Sequence, residues 1–248
     1  MALIRCNHKS SALGKASELT ILVPETPKKE KLRILYLLHG LSDDYSAWLR
    51  YTSIERYVKY NSDTMIVMPD AGRSFYTDMV FGGSYYTYVT EEIPAFLKSL
   101  FNISDKREDT YIAGLSMGGY GAFKIALKNP EVYSAAASFS GALDVAASMK
   151  AGGEWKKDAH AIMGMDFSIE ESDENLFCLL DKKFDKKPRL LQMCGTEDFL
   201  YASNLKFRDA LKEKGFDYEY REAPGGHTWD FWDECIKYAL EFFGIENK

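Results

Sequence analysis

The stretch Thr110-Tyr-Ile-Ala-Gly-Leu-Ser-Met-Gly-Gly-Tyr-Gly-Ala-Phe-Lys-Ile-Ala-Leu127 constrains the fold more than any other part of the chain. Tyr111-Ile112-Ala113 is short and apolar, as a strand covered on both faces should be. Ala122, Phe123, Ile125, Ala126 and Leu127 fit the buried side of a helix. Between them lies Gly114-x-Ser116-x-Gly118. A strand that turns straight into a helix brings backbone against backbone, so the positions two before and two after the turn must be small. The strain of the turn lifts the Ser116 hydroxyl clear of the sheet. The five-residue pattern alone arises by chance in roughly one chain in ten of this length, and an idle serine in a Gly-rich turn would share it. The strand before it and the helix after it supply the context that the motif requires.

The 248 residues, 46% of them hydrophobic and 14% aromatic, are enough to bury a full core, and we expect one domain over 1–248. A net charge of -6 lacks the basic excess that binding a phosphate backbone needs, which argues against nucleic acid and anionic membranes as partners. Residues 1–9 carry no apolar signal core, and no run approaches the ~18 apolar residues of a membrane span, so the chain reads as cytoplasmic. Cys6, Cys178, Cys194 and Cys235 are scattered without a Cys-x-x-Cys pair and read as buried thiols.

Residues 17–23 and 33–39 read as strands. The polar turn between them leaves no room for a crossover helix, so this early pair is expected to be antiparallel. A helix around 54–60 and a strand at 64–69 follow. Residues 86–101 have helical spacing interrupted by Pro94. Beyond the opening stretch come strands at 134–140 and 189–194, a helix at 203–214 stopped by Gly215, a last strand at 216–222 and a closing helix at 230–243. The alternation predicts an α/β fold with a mostly parallel twisted sheet and helices on both faces. Residues 141–187 break the alternation. They contain Gly152-Gly153, Gly164 and the charge runs Glu170-Glu-Ser-Asp-Glu174 and Asp181-Lys-Lys-Phe-Asp-Lys-Lys187, which read as solvated faces of a small cap insertion beside the site.

In such sheets reactive loops lie beyond the carboxyl ends of the strands. Ser116 follows one strand, Asp198 a later one and His227 the last, the chain order Ser…Asp…His of α/β-hydrolases. A serine hydroxyl needs a base to take its proton, and an imidazole with an ordinary pKa of ~6.5 serves at neutral pH. Of the four histidines, His8 is near the N-terminus, His160 is in the insertion and His39 precedes the first loop, which leaves His227. Asp198 competes with Glu197, Asp44, Asp70 and Asp144 for the role of orienting acid. The developing oxyanion needs fixed N–H donors; Met117, after the nucleophile, and Leu41, after His39-Gly40, are the candidates. His39 reads as a brace for that loop.

His39-Gly-Leu-Ser42, Gly114-Leu-Ser-Met-Gly-Gly-Tyr-Gly121, Ser138-Phe-Ser-Gly141, Cys194-Gly-Thr-Glu-Asp-Phe-Leu-Tyr201 and Gly226-His-Thr-Trp-Asp-Phe-Trp232 resemble the esterase D-like α/β-hydrolases over roughly 35–242. Within these the chain looks closest to bacterial tributyrin, acetyl and feruloyl esterases. The resemblance implies an α/β-hydrolase fold, a Ser116, Asp198 and His227 triad in which Asp198 prevails over Glu197, oxyanion donors Leu41 and Met117, and self-association into homo-oligomers. The S-formylglutathione hydrolases of the family commonly carry a threonine-cysteine pair after His-Gly-Leu. Ser42-Asp43 stands there in this chain, which argues against glutathione thioesters.

Aromatic residues crowd the loops: Trp48, Tyr51, Phe75, Tyr76, Phe81, Tyr85, Tyr86, Trp155 and Trp229. Most such rings fill core; Trp48, Phe75, Tyr76, Trp155 and Trp229 are the candidates for an acyl pocket or a sugar or aryl platform. Neither calcium-type oxygen spacing nor a His/Cys cluster occurs, so no metal and no cofactor are expected. The reading is a serine carboxylesterase for short acyl esters, acetyl or feruloyl esters of plant carbohydrate among them. Its rivals are an acyltransferase to a sugar or lipid hydroxyl, an S-formylglutathione-type thioesterase and a non-catalytic carbohydrate-binding module.

Overall fold

The computed structural model describes residues 1–150, 154–165 and 168–245. Eight strands, β1 (Ala2–Ser10), β2 (Lys15–Val23), β3 (Arg33–Leu38), β4 (Thr64–Pro69), β5 (Thr110–Leu115), β6 (Ala135–Phe139), β7 (Arg189–Gly195) and β8 (Tyr218–Ala223), form one sheet. Its order is β1-β2-β4-β3-β5-β6-β7-β8, parallel from β4 to β8, with β1 and β2 antiparallel at one edge. The α/β-hydrolase architecture expected from the alternation of elements is the one observed.

The continuous apolar runs of β3, β4 and β5 are buried on both faces. Ile34, Tyr36 and Leu38 pack on one side with Ile93, Leu97, Phe123 and Leu127. Leu35 and Leu37 pack on the other with Trp48, Ile54, Ile236 and Leu240. Helices thus cover the sheet on both faces, which holds the strand ends rigidly enough to carry a site.

Two readings of the amino-terminal region need correction. β2 and β3 run antiparallel, but they are not neighbours: β4 lies between them, pairing Leu19–Leu22 of β2 with Ile66–Pro69. The 25 residues between β3 and β4 contain the helices Ala47–Tyr51 and Ile54–Tyr57, a crossover long enough to bring the chain back beside β3 on its β2 side. β1 was legible but unread. Ile4, Cys6 and His8 turn inward while Leu3, Arg5, Asn7 and Lys9 are exposed, the two-residue period of an edge strand.

The segment around Pro94 adopts a π-helical turn at Tyr88–Glu92 before the helix Ile93–Leu100. Proline has no N–H to return to the preceding turn, and the wider turn absorbs the missing bond. Between β6 and β7 stand the helices Val145–Lys150, Glu154–Met163 and Leu176–Leu180; Gly152-Gly153 lie outside the described residues. The charge runs here are not all solvated. Glu174, with a side chain 16% exposed, accepts a 2.6 Å bond from Lys124, which is fully buried in the helix Met117–Lys128. Lys124 also donates to the Phe75 carbonyl at 3.0 Å and the Thr77 hydroxyl at 2.6 Å, tying three segments to one ammonium.

Candidate active site

Ser116 caps the helix Met117–Lys128 with φ 53° and ψ −117°, a left-handed conformation that costs a non-glycine residue about 1–3 kcal/mol. Its neighbours hold it there. The Ser116 N–H donates to the Phe139 carbonyl at 2.9 Å, and its own carbonyl accepts from Tyr120 and Ala142, each at 3.1 Å. The two flanking glycines are required by close approach. A Cβ on Gly118 would meet the Leu38 carbonyl oxygen at 2.5 Å, and one on Gly114 would press on the Gly118 carbonyl and stand 2.9 Å from Leu38 Cβ.

The loop after β8 delivers His227 to this serine, with Nε2 2.9 Å from Ser116 Oγ. The loop after β7 delivers Asp198, whose Oδ2 and Oδ1 lie 2.9 and 3.1 Å from His227 Nδ1. A carboxylate can only accept, so Nδ1 carries the proton and Nε2 offers its lone pair to the serine hydroxyl. Asp198 is 5% exposed and also accepts the Leu200 N–H at 2.8 Å. Burial pushes its carboxyl up, but the hydrogen bonds from His227 and the Leu200 N–H outweigh this and hold it below the ordinary carboxylate value. Glu197 faces elsewhere, accepting the N–H of Gly225 and so bracing the loop that carries His227. The other rival acids serve locally: Asp44 caps Ser46, Asp70 caps Gly72, and Asp144 holds Lys206.

His39 is 1% exposed and both ring nitrogens are engaged. Nε2 accepts the Ala71 N–H at 2.9 Å, so Nδ1 is the protonated nitrogen and donates to the Gly40 carbonyl at 2.7 Å. That tautomer leaves Nε2 no proton for Asp70, 3.6 Å away. The Tyr76 hydroxyl fixes the same loop by donating to the His39 carbonyl at 3.0 Å. A Cβ on Gly40 would stand 3.7 Å from Ser116 Cβ, so the backbone leading into Leu41 runs beside the serine. Met117 opens its helix, where the first N–H groups have no acceptor within the helix.

The aromatic candidates divide. Trp48, Phe75 and Tyr76 do not present a platform to solvent: each is at most 1% exposed. Trp48 donates its indole N–H to the Leu38 carbonyl at 3.0 Å, and Phe75 and Tyr76 sit at φ 50° and 53°. Trp155 and Trp229 are partly exposed, Trp155 against Phe75 and Trp229 against Tyr51. Sequence reasoning passed over Phe199, which is 69% exposed with its ring 4.6 Å from that of His227. Its position directly after Asp198 was the available signal. No helix among the described residues is long and apolar enough to cross a membrane.

The Esterase family model matches residues 10–243. An acetyl esterase of Caldicellulosiruptor saccharolyticus is 34% identical over 265 aligned residues, covering 98% of each chain. Two Staphylococcus aureus structures are 37% identical and align over 98% of each chain. One is the fluorophosphonate-binding serine hydrolase FphF with substrate bound, at a TM-score of 0.89; the other is the S-formylglutathione hydrolase FrmB, at 0.87. The chain belongs to the esterase family and is a carboxylic ester hydrolase built on the α/β-hydrolase fold.

Proposed function

We propose that Ser116 is the nucleophile, His227 the general base and acid, and Asp198 the orienting acid of a serine carboxylesterase acting on short acyl esters. The observation that carries this is the 2.9 Å approach of His227 Nε2 to Ser116 Oγ, with the far side of the ring held by Asp198. As Ser116 Oγ attacks the ester carbonyl carbon, its proton passes to His227 Nε2. The N–H groups of Leu41 and Met117 receive the negative oxygen. His227 then protonates the departing alcohol oxygen, and the acyl group remains on Ser116. A water replaces the alcohol and gives a proton to the same nitrogen as its oxygen bonds to the acyl carbon; the bond from that carbon to Ser116 Oγ then breaks, Oγ takes the proton back, and the carboxylic acid leaves.

Acetyl is the acyl group best supported, through the acetyl esterase that matches over nearly the whole chain. Phe199 beside the base, with Tyr51 and Trp229 nearby, offers ring surface for a sugar or aryl portion of the ester, which suits acetylated or feruloylated carbohydrate. A thioester substrate is a second reading, favoured by the likeness to an S-formylglutathione hydrolase. Labelling with a fluorophosphonate followed by peptide mapping tests the nucleophile: modification at Ser116 is expected, and an unmodified Ser116 would refute the assignment. Turnover of p-nitrophenyl acetate against S-formylglutathione then separates the two substrate classes.

A further inference from the structure

The run Ser138-Phe-Ser-Gly141 has no part in the mechanism above, yet its third residue is held in a costly conformation. Ser140 is fully buried and has φ 48°, one of four non-glycine residues with positive φ among the described residues, Ser116 being another. Its N–H donates to the Met193 carbonyl at 2.8 Å, fixing it to the end of β7, three residues before the loop that carries Asp198. Its Oγ accepts the Trp232 indole N–H at 3.1 Å. Having accepted there, the hydroxyl keeps one proton to give, and its dipole helps to hold the Asp198 carboxyl below its ordinary value. The Trp232 ring in turn stands edge-on to the His227 imidazole, with centroids 4.9 Å apart and planes at 89°. Backbone strain at a buried polar residue persists only where the surroundings enforce it, and here they hold one hydroxyl against the indole that flanks the base.

We propose that Ser140 is a positioning residue for the acid–base pair: its oxygen atom anchors the indole that stands edge-on to the His227 imidazole. This rests on the assignment of His227 and Asp198 made above. It gives Ser140 no contact with substrate. Its effect lies in kcat and in the pH at which the imidazole becomes competent, because a carboxylate that loses a favourable dipole attracts the imidazolium more strongly. Other groups around the pair are Cys194, whose thiol burial pushes up, the Leu200 N–H on Asp198, and Asp43, whose carboxyl senses the His227 charge.

The test uses Ser140→Gly, which accepts φ 48° without strain and removes the hydroxymethyl group, and Trp232→Phe, which keeps a ring against His227 and removes the N–H. With p-nitrophenyl acetate, Ser140→Gly is expected to lower kcat about tenfold or more, leave KM within about twofold, and move the acid limb of the kcat/KM profile to higher pH. Trp232→Phe should shift both readouts in the same direction, by roughly threefold in kcat. A folded Ser140→Gly variant with kcat and acid limb at wild-type values would overturn the proposal. Should that variant not fold, an unchanged kcat and limb in Trp232→Phe would overturn it instead. Fluorophosphonate labelling of the wild-type enzyme distinguishes the two layers. A labelled Ser116 with a normal Ser140→Gly variant removes Ser140 alone, whereas an unlabelled Ser116 removes the triad and Ser140 with it.

Discussion

Lys124 Nζ, fully buried in the helix that begins at the reactive serine, lies 2.6 Å from Glu174 Oε2 in the segment between β6 and β7. Lys128 reaches the other oxygen of Glu174 at 3.2 Å, and the Tyr120 hydroxyl donates to its carbonyl at 2.7 Å. The cluster is the main polar fastening of that segment to the helix. Replacing Glu174 with Gln leaves the buried Lys124 charge beside the Phe75 carbonyl and Thr77 hydroxyl without its closest counter-charge, which is expected to cost about 3 kcal/mol. Lys124→Met, which removes the buried charge and leaves Glu174 with Lys128, should cost under about 1.5 kcal/mol. Urea denaturation of the two variants checks the contrast; equal losses would show that the pair does not act as an ion pair.

The same cluster sets an acid response. Burial pushes the Glu174 carboxyl up, and the Lys124 and Lys128 charges more than reverse this, holding it at about 2 against an ordinary 4.5. The unfolded chain therefore takes up the proton first as pH falls. The stabilisation is fully present above 4.5 and is lost progressively toward pH 2. Thermal melts from pH 6 to 2 should show a steeper fall for wild type than for Glu174→Gln, and parallel curves would contradict this.

Ser116 exchanges stability for chemistry. Ser116→Gly relieves the left-handed backbone and is expected to raise stability by about 1 kcal/mol while lowering kcat by about 10⁴-fold or more. Calorimetry and p-nitrophenyl acetate turnover on the same preparation check both signs. A destabilised glycine variant would mean that the serine side chain makes compensating contacts in the fold.

Adjacent acids should differ sharply. Asp198→Asn leaves His227 without a carboxylate to fix its tautomer, for an expected loss of about 10⁴ in kcat. Glu197→Gln keeps an oxygen for the Gly225 N–H and should stay within about threefold of wild type. Steady-state kinetics of the pair decides between them, and a reversed order would reassign the acid.

The catalytic candidates were legible because each directly follows a strand, and the carboxyl ends of parallel strands converge on one edge of the sheet. Asp198 was less clear, since its contact with His227 depends on a loop conformation shared with Glu197. Burial of individual rings was hidden. Trp48, in the helix Ala47–Tyr51, and Phe199, in the loop after β7, both lie between strands, and only the packing puts one under Trp229 and the other in solvent. Lys124 was unreadable for a different reason. Its partner is 50 residues away, within an acidic run whose Glu171 and Asp173 are exposed. The position of β4 likewise depends on the route of a crossover that local patterns do not encode.

The sheet register described above has a consequence for biosynthesis. Ser116 and His227 are 111 residues apart, and β8, the strand that carries the histidine loop, docks at the far edge of the sheet on β7. With His227 as the proposed base, a nascent chain that has already formed β3, β5 and β6 holds a strained serine with no base to activate it. Reactivity therefore arrives in a single late step, when the last strand and the helix Trp229–Phe242 close, so a partly synthesised or partly refolded chain is chemically silent. Recovery of turnover during refolding is consequently a clock for the final docking event and not for collapse of the core.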